Sequence, residues 1–132
     1  MLIVDDAKSF VDVLKRRLSK RSLDVVTAQS GKEALAYLAE NHNVDVVLLD
    51  IKMPEMSGLE VLKQIKVDFP LIEVILLSGH SSFESALEGM RLGAFDHLTK
   101  PCDIEELAAG IEQAKSKKMR VSEKIVGKKK AS

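Results

Sequence analysis

The sequence predicts a doubly wound α/β domain built on a five-stranded parallel sheet. Three observations lead there. Five apolar segments, at residues 2–4, 23–28, 44–49, 72–77 and 94–98, alternate with five stretches of helical pattern. Such alternation requires parallel strands joined by crossover helices, and right-handed crossovers place those helices on both faces. The third and fourth segments contain Val46-Val47-Leu48-Leu49 and Val74-Ile75-Leu76-Leu77, the continuous apolar runs of strands buried on both sides.

The remaining segments fit around these two. Leu2-Ile3-Val4 is also unbroken, though short. The second segment is interrupted by Asp24 and Thr27, and the fifth by Asp96 and His97. Segments 1, 3 and 4 therefore belong in the centre and segments 2 and 5 at the edges. Among the known doubly wound orders this selects 2-1-3-4-5, the flavodoxin-like (βα)5 arrangement. Four helices open on a capping-box pattern, Ser30…Glu33, Ser57…Glu60, Ser81…Glu84 and Asp103…Glu106. The first helix starts near residues 7–9 with Phe10, Val13, Leu14 and Leu18 on its apolar face. The fourth presents Phe83, Ala86, Leu87 and Met90. Gly58 and Gly93 read as sites of close packing and helix termination. The globular part is expected over residues 1–118, with 119–132 a frayed helix end and then a basic tail or linker remnant.

Composition narrows the function. The 132 residues are 45% apolar and 30% charged with a formal net charge of zero, an ordinary globular profile. Eight of the 20 Lys/Arg but one of the 20 Asp/Glu lie in residues 115–132, which leaves an acidic body. That balance argues against direct nucleic-acid binding by the domain, and the tail reads as a solvated linker. No apolar run is long enough for a membrane span, and the N-terminus lacks the basic region of a signal peptide. The single cysteine, Cys102, has no partner for an internal disulfide, and a cytoplasmic location is expected.

In open α/β sheets, ligands bind beyond the carboxyl ends of the strands where the order reverses, here between strands 1 and 3. The first strand runs into Asp5-Asp6 and the third into Asp50; the fourth ends in Ser78-Gly79 and the fifth leads to Thr99-Lys100-Pro101. Each residue alone reads as a turn, a cap or a solvated side chain. Together, three carboxylates, a hydroxyl and an amine converge on one rim. Neighbouring carboxylates raise each other's pKa unless a cation compensates. A hard divalent ion, Mg²⁺ where phosphate is involved, suits carboxylate and carbonyl oxygens. A carboxylate can also attack phosphorus to form an acyl phosphate, a transfer governed by positioning and charge neutralisation.

Over residues 1–118 the chain resembles the response-regulator receiver domains of two-component signalling. The resemblance rests on Val4-Asp5-Asp6, on Leu49-Asp50-Ile51-Lys52-Met53-Pro54 with Ser57-Gly58, on Leu77-Ser78-Gly79, and on the run from Gly93 to Pro101. It implies Asp50 as phosphoacceptor, and Asp5, Asp6, Asp50 and the Lys52 carbonyl as the Mg²⁺ site. It implies Lys100 as the phosphate-binding cation and Ser78 as the hydroxyl that senses phosphorylation. His97 falls where the family usually has Tyr or Phe, the ring that moves on activation. A cis Lys100–Pro101 peptide is implied as well. Lys52 and His80, each two residues past a site residue, are candidates for tuning the lifetime of the phosphoryl group.

The implied partners are a sensor histidine kinase or phosphotransfer protein, and an output domain or effector docking on the fourth helix, fifth strand and fifth helix; a homodimer is also possible. The segment from Ser78 to Pro101 resembles receivers that precede transcriptional-activator modules. Two alternatives stand beside this reading. One is an aspartyl-phosphate-forming small-molecule phosphatase, which places its nucleophile in a D-x-D motif after the first strand. The other is a degenerate receiver that works without phosphorylation.

Overall fold

The computed structural model describes residues 1–79 and 83–131. Among these, five strands and five helices alternate: β1 (Leu2–Val4), α1 (Lys8–Ser19), β2 (Val26–Ala28), α2 (Gly31–Glu40), β3 (Val46–Asp50), α3 (Gly58–Asp68), β4 (Glu73–Ser78), α4 (Phe83–Arg91), β5 (Asp96–Thr99) and α5 (Ile104–Ala131). The sheet is parallel with the order β2-β1-β3-β4-β5, as the apolar pattern predicts.

Alternation along the central strands divides the core into two. Leu2, Val4, Val47, Leu49, Val74 and Leu76 face one side and pack with Ala34 and Leu38 of α2 and Val61, Leu62 and Ile65 of α3. Ile3, Val46, Leu48, Ile75 and Leu77 face the other and pack with Val11, Leu14 and Leu18 of α1 and Leu107, Ile111 and Ala114 of α5. Each buried Leu or Ile contributes about 1.5–3 kcal/mol relative to exposure. The edges are polar because each has a single strand neighbour and incomplete helical cover: β5 is only half-buried over Asp96, His97 and Leu98.

Several local expectations need correction. In α1 the buried positions are Val11, Leu14 and Leu18, while Val13 is exposed; the buried stripe is centred one residue over. In α4 the apolar stripe is not core: Phe83 is 80% exposed, and Leu87 and Met90 are also open to solvent. The residue this helix buries is Gly89, where an added Cβ would lie 2.1 Å from Leu76 Cδ1. Close approach through glycine turns the larger side chains outward.

Of the capping boxes, Ser57–Glu60 is complete: the Ser57 hydroxyl accepts the Glu60 N–H at 3.3 Å and the Glu60 carboxylate accepts the Ser57 N–H at 3.2 Å. Ser30 caps Glu33, but the Glu33 carboxylate accepts from Gln29 N–H. The Asp103 carboxylate accepts from Glu105, not Glu106. Ser81 lies outside the described residues. The fifth helix continues past Lys118 to Ala131. Near its middle, Lys117 pairs with Glu73 at 3.6 Å and Lys118 with Asp45 at 2.9 Å.

Candidate functional site

The carboxyl ends of β1, β3, β4 and β5 form the rim on which the predicted residues meet. Asp5 follows β1 directly; its N–H donates to the Ala28 carbonyl at 3.1 Å, and its carboxylate accepts the Ala7 N–H at 2.9 Å, tying down the turn into α1. Asp6, next along, is exposed. Asp50 ends β3 with 7% exposure. The start of α3 presses against it: Gly58 N–H donates to the Ile51 carbonyl at 2.8 Å, and a Cβ on Gly58 would stand 2.0 Å from the Asp50 carbonyl oxygen. Only glycine fits there, in line with the close packing expected of Gly58.

Carboxylate oxygens of Asp5, Asp6 and Asp50 all lie within 4.8 Å of one another. Lys100 reaches across from the end of β5. Its Nζ is 2.6 Å from Asp5 Oδ2 and 3.6 Å from Asp50 Oδ1. Burial pushes the Asp50 carboxyl above its ordinary pKa; Asp5 pushes the same way, while Lys100 and the Lys52 backbone N–H pull it down and Asp6 adds a further upward push. Among the described residues, one lysine against three carboxylates leaves the rim short of positive charge. Oxygen donors at this spacing with excess negative charge fit a hard divalent cation.

Ser78 closes the rim from β4 and is 2% exposed. Its carbonyl accepts the Lys100 N–H at 2.6 Å. Its hydroxyl lies 3.0 Å from Nε2 of half-buried His97. The Asp96 carboxylate accepts the His97 backbone N–H at 2.7 Å. The Lys100–Pro101 peptide is cis, as expected. Lys52 points its exposed side chain away from the core, and His80 lies outside the described residues. Cys102 stays apart from this chemistry: burial pushes its thiol pKa up, and Glu106 adds to that.

One participant escaped the sequence reading. Phe10, half-buried on α1, has Lys100 Nζ 4.4 Å from its ring centroid. A cation over an aromatic face is attracted by the ring quadrupole, so Phe10 helps hold the amine at the rim. Its helical spacing marked it as core; an aromatic four residues after paired acids was the available signal.

Comparison with known proteins agrees with this geometry. A family model described as the response regulator receiver domain matches residues 1–112. The DNA-binding transcriptional regulator NtrC of Salmonella typhimurium is 45% identical over 112 residues, which is 85% of this chain and 24% of that protein. The transcriptional regulatory protein ZraR of Escherichia coli is 40% identical over 114 residues, 86% of this chain and 26% of the relative. The chain thus spans about a quarter of the length of these curated relatives. Among solved structures, a response regulator receiver domain protein from Clostridium thermocellum superposes with a TM-score of 0.87 at 36% identity, covering 91% of this chain and 96% of that one. The receiver domain of NtrX from Brucella abortus gives 0.82 at 32%, covering 87% and 97%. Receivers of this kind are signalling switches rather than enzymes with a turned-over small substrate, which removes the phosphatase alternative. With its acidic rim, its strand order and a family model that matches residues 1–112, the chain belongs to the response regulator receiver domain family of two-component signal transduction.

Proposed function

We propose that this domain is a phosphorylation-dependent switch that takes a phosphoryl group on Asp50 from a sensor histidine kinase or phosphotransfer protein. The observation that carries the reading is the convergence of Asp5, Asp6 and Asp50 within 4.8 Å, with Lys100 between Asp5 and Asp50. An Asp50 carboxylate oxygen attacks phosphorus; the new O–P bond forms as the bond to the donor breaks, and the donor leaves with its electron pair. Lys100 neutralises charge on the phosphoryl oxygens, moving from Asp5 toward the group as it arrives. Ser78 offers its hydroxyl hydrogen to one of those oxygens. Asp5, Asp6, Asp50 and the Lys52 carbonyl are the residues that would hold Mg²⁺, which when bound supplies positive charge for the phosphoryl oxygens.

The effects of the group are read on the surface of α4, β5 and α5, where Phe83, Leu87 and Met90 stand exposed. His97 links Ser78 to that surface as the switch ring. Lys52 and His80, each two residues past a site residue in sequence, tune the lifetime of the acyl phosphate. Residues 1–118 act as the receiver, and 119–132, which α5 carries as far as Ala131, act as the linker toward an output module. The name of NtrC suggests a DNA-binding transcriptional regulator for that module; the receiver itself does not contact nucleic acid. The domain acts in the cytoplasm beside the kinase that phosphorylates it, as a single chain or a homodimer. No helix among the described residues is long and apolar enough to cross a membrane.

The test is direct. Incubation with acetyl phosphate and Mg²⁺, followed by intact-mass measurement, is expected to add one phosphoryl group per chain. Asp50→Asn is expected to show none, and excess chelator to abolish labelling of wild type. Full labelling of the variant would sink the proposal.

A further inference from the structure

The contact between Ser78 Oγ and His97 Nε2, at 3.0 Å, joins the phosphoryl site to a titratable ring. Strand register brings it about. His97 stands opposite Leu76, two residues before Ser78, so the two side chains rise on the same face of the sheet. Ser78 follows Leu77, which stands opposite Asp50. The serine is buried, so its hydroxyl is oriented by protein groups more than by water.

A serine hydroxyl carries one hydrogen and two lone pairs, and a given imidazole nitrogen either donates or accepts. The contact therefore has two forms. In one, Ser78 donates to Nε2 and its only hydrogen is used. In the other, Nε2–H donates to Oγ and the serine hydrogen is released for another acceptor. Only the second form lets Ser78 donate to an anionic oxygen. We propose that His97 is a positioning residue for the phosphoryl group: its Nε2–H holds the Ser78 oxygen and turns the hydroxyl hydrogen toward the group on Asp50. This goes beyond a ring that fills space, since a phenyl ring in the same place donates nothing. It rests on the reading of Asp50 as acceptor. No bond to phosphorus is made or broken by His97.

The experiment uses the whole chain labelled with ¹⁵N, at constant pH with Mg²⁺, before and after addition of beryllofluoride as phosphoryl mimic. The His97 ring signals are expected to show Nε2 carrying hydrogen in the mimic complex. In parallel, labelling by acetyl phosphate is timed for wild type, His97→Phe and His97→Gln. His97→Phe is expected to be roughly fivefold slower, the size of one net hydrogen bond. His97→Gln, whose amide donates, is expected to recover most of the rate. Placed on Ser78→Ala, which lacks the hydroxyl, His97→Phe is expected to add no further loss. An Nε2 without hydrogen in the mimic complex overturns the proposal, even if both variants fold poorly. So does a His97→Phe rate equal to wild type. If wild type labels on Asp50 while the ring fails its test, the positioning role alone falls; if Asp50→Asn labels fully, the acceptor reading falls with it.

Discussion

The two ends of the sheet both bury a carboxylate beside lysine, yet they do opposite things with it. At the amino end of β4, Glu73 is 5% exposed and has Lys66 at 4.0 Å and Lys117 at 3.6 Å. Nearby, Asp45 has Lys118 at 2.9 Å. Lysine charge matches or exceeds carboxylate charge there, and Lys66 also donates to the Ile72 carbonyl at 2.8 Å. Burial pushes the Lys66 amine below its ordinary pKa, Glu73 pushes it back up, and Lys117 lowers it further. At the carboxyl end, three carboxylates share Lys100. The first end closes its own account of charge and acts as a fastening between β4, α3 and α5. The second is left with surplus negative charge, and that surplus is what a cation and an incoming phosphoryl group exploit. Burial of charge by itself does not mark function; uncompensated burial does.

The largest effect that would break this contrast is at the balanced end. Glu73→Ala leaves half-buried Lys66 without its carboxylate and is expected to destabilise the fold by about 3 kcal/mol, the low side for breaking a buried pair, because the Ile72 carbonyl remains. Urea unfolding measures it. Labelling of Asp50 under native conditions is expected to be unchanged; loss of labelling in a folded variant would show that the two ends are not separate.

A smaller effect of opposite sign is expected at the site. The folded-state pKa of Asp50 is raised above its unfolded value near 3.8, first by burial and then by Asp5. A group raised in this way favours folding while protonated, and that contribution is lost as pH rises through its folded pKa. At neutral pH the charged carboxylate is therefore a burden on the fold. In excess chelator, Asp50→Asn is expected to melt a few degrees above wild type at pH 7, with the gap closing toward pH 3. An equal or lower melting temperature at pH 7 would count against the charge-surplus account.

The smallest effect sharpens the boundary of the site. The Lys52 backbone N–H pulls the Asp50 pKa down, while the Lys52 side chain is exposed. Lys52→Ala keeps the backbone and removes only the solvated amine, so the hydrolysis rate of the acyl phosphate is expected to change by about twofold, the scale of exposed charge effects. Phosphate release after rapid removal of the donor gives the rate, and identical rates would end the lifetime role of Lys52.

Much of this was readable from local pattern. Continuous apolar runs placed β3 and β4 in the centre because a strand covered on both faces has no polar side to show. Polar interruptions placed β2 and β5 at the edges. Asp5, Asp6, Asp50, Ser78 and Lys100 were readable as a set because each stands at a strand's carboxyl end, and a parallel sheet brings those ends to one rim. Gly58, eight residues after Asp50, was readable as a point of close packing. These inferences depend on period and position along the chain, which sequence states outright.

Other features depend on distances between parts far apart in sequence. Helical spacing marked Phe83, Leu87 and Met90 as one apolar face, but Gly89 over Leu76 decided that this face looks outward. Composition suggested a frayed tail after Lys118, but the pairing of Lys117 and Lys118 with Glu73 and Asp45 secures the helix where it leaves the body. Lys100 could have served Asp50 first; the folded chain sets it closer to Asp5, 95 residues away, with Phe10 behind it. His97 was legible as the residue in the switch position, while its grip on the Ser78 hydroxyl came from the register of β4 against β5. The sequence alone determined which residues gather at the rim, because strand alternation and strand ends are local properties. The tertiary structure decided which of them touch, because a hydrogen bond or ion pair is set within a few ångströms by register, reach and packing from every neighbouring element.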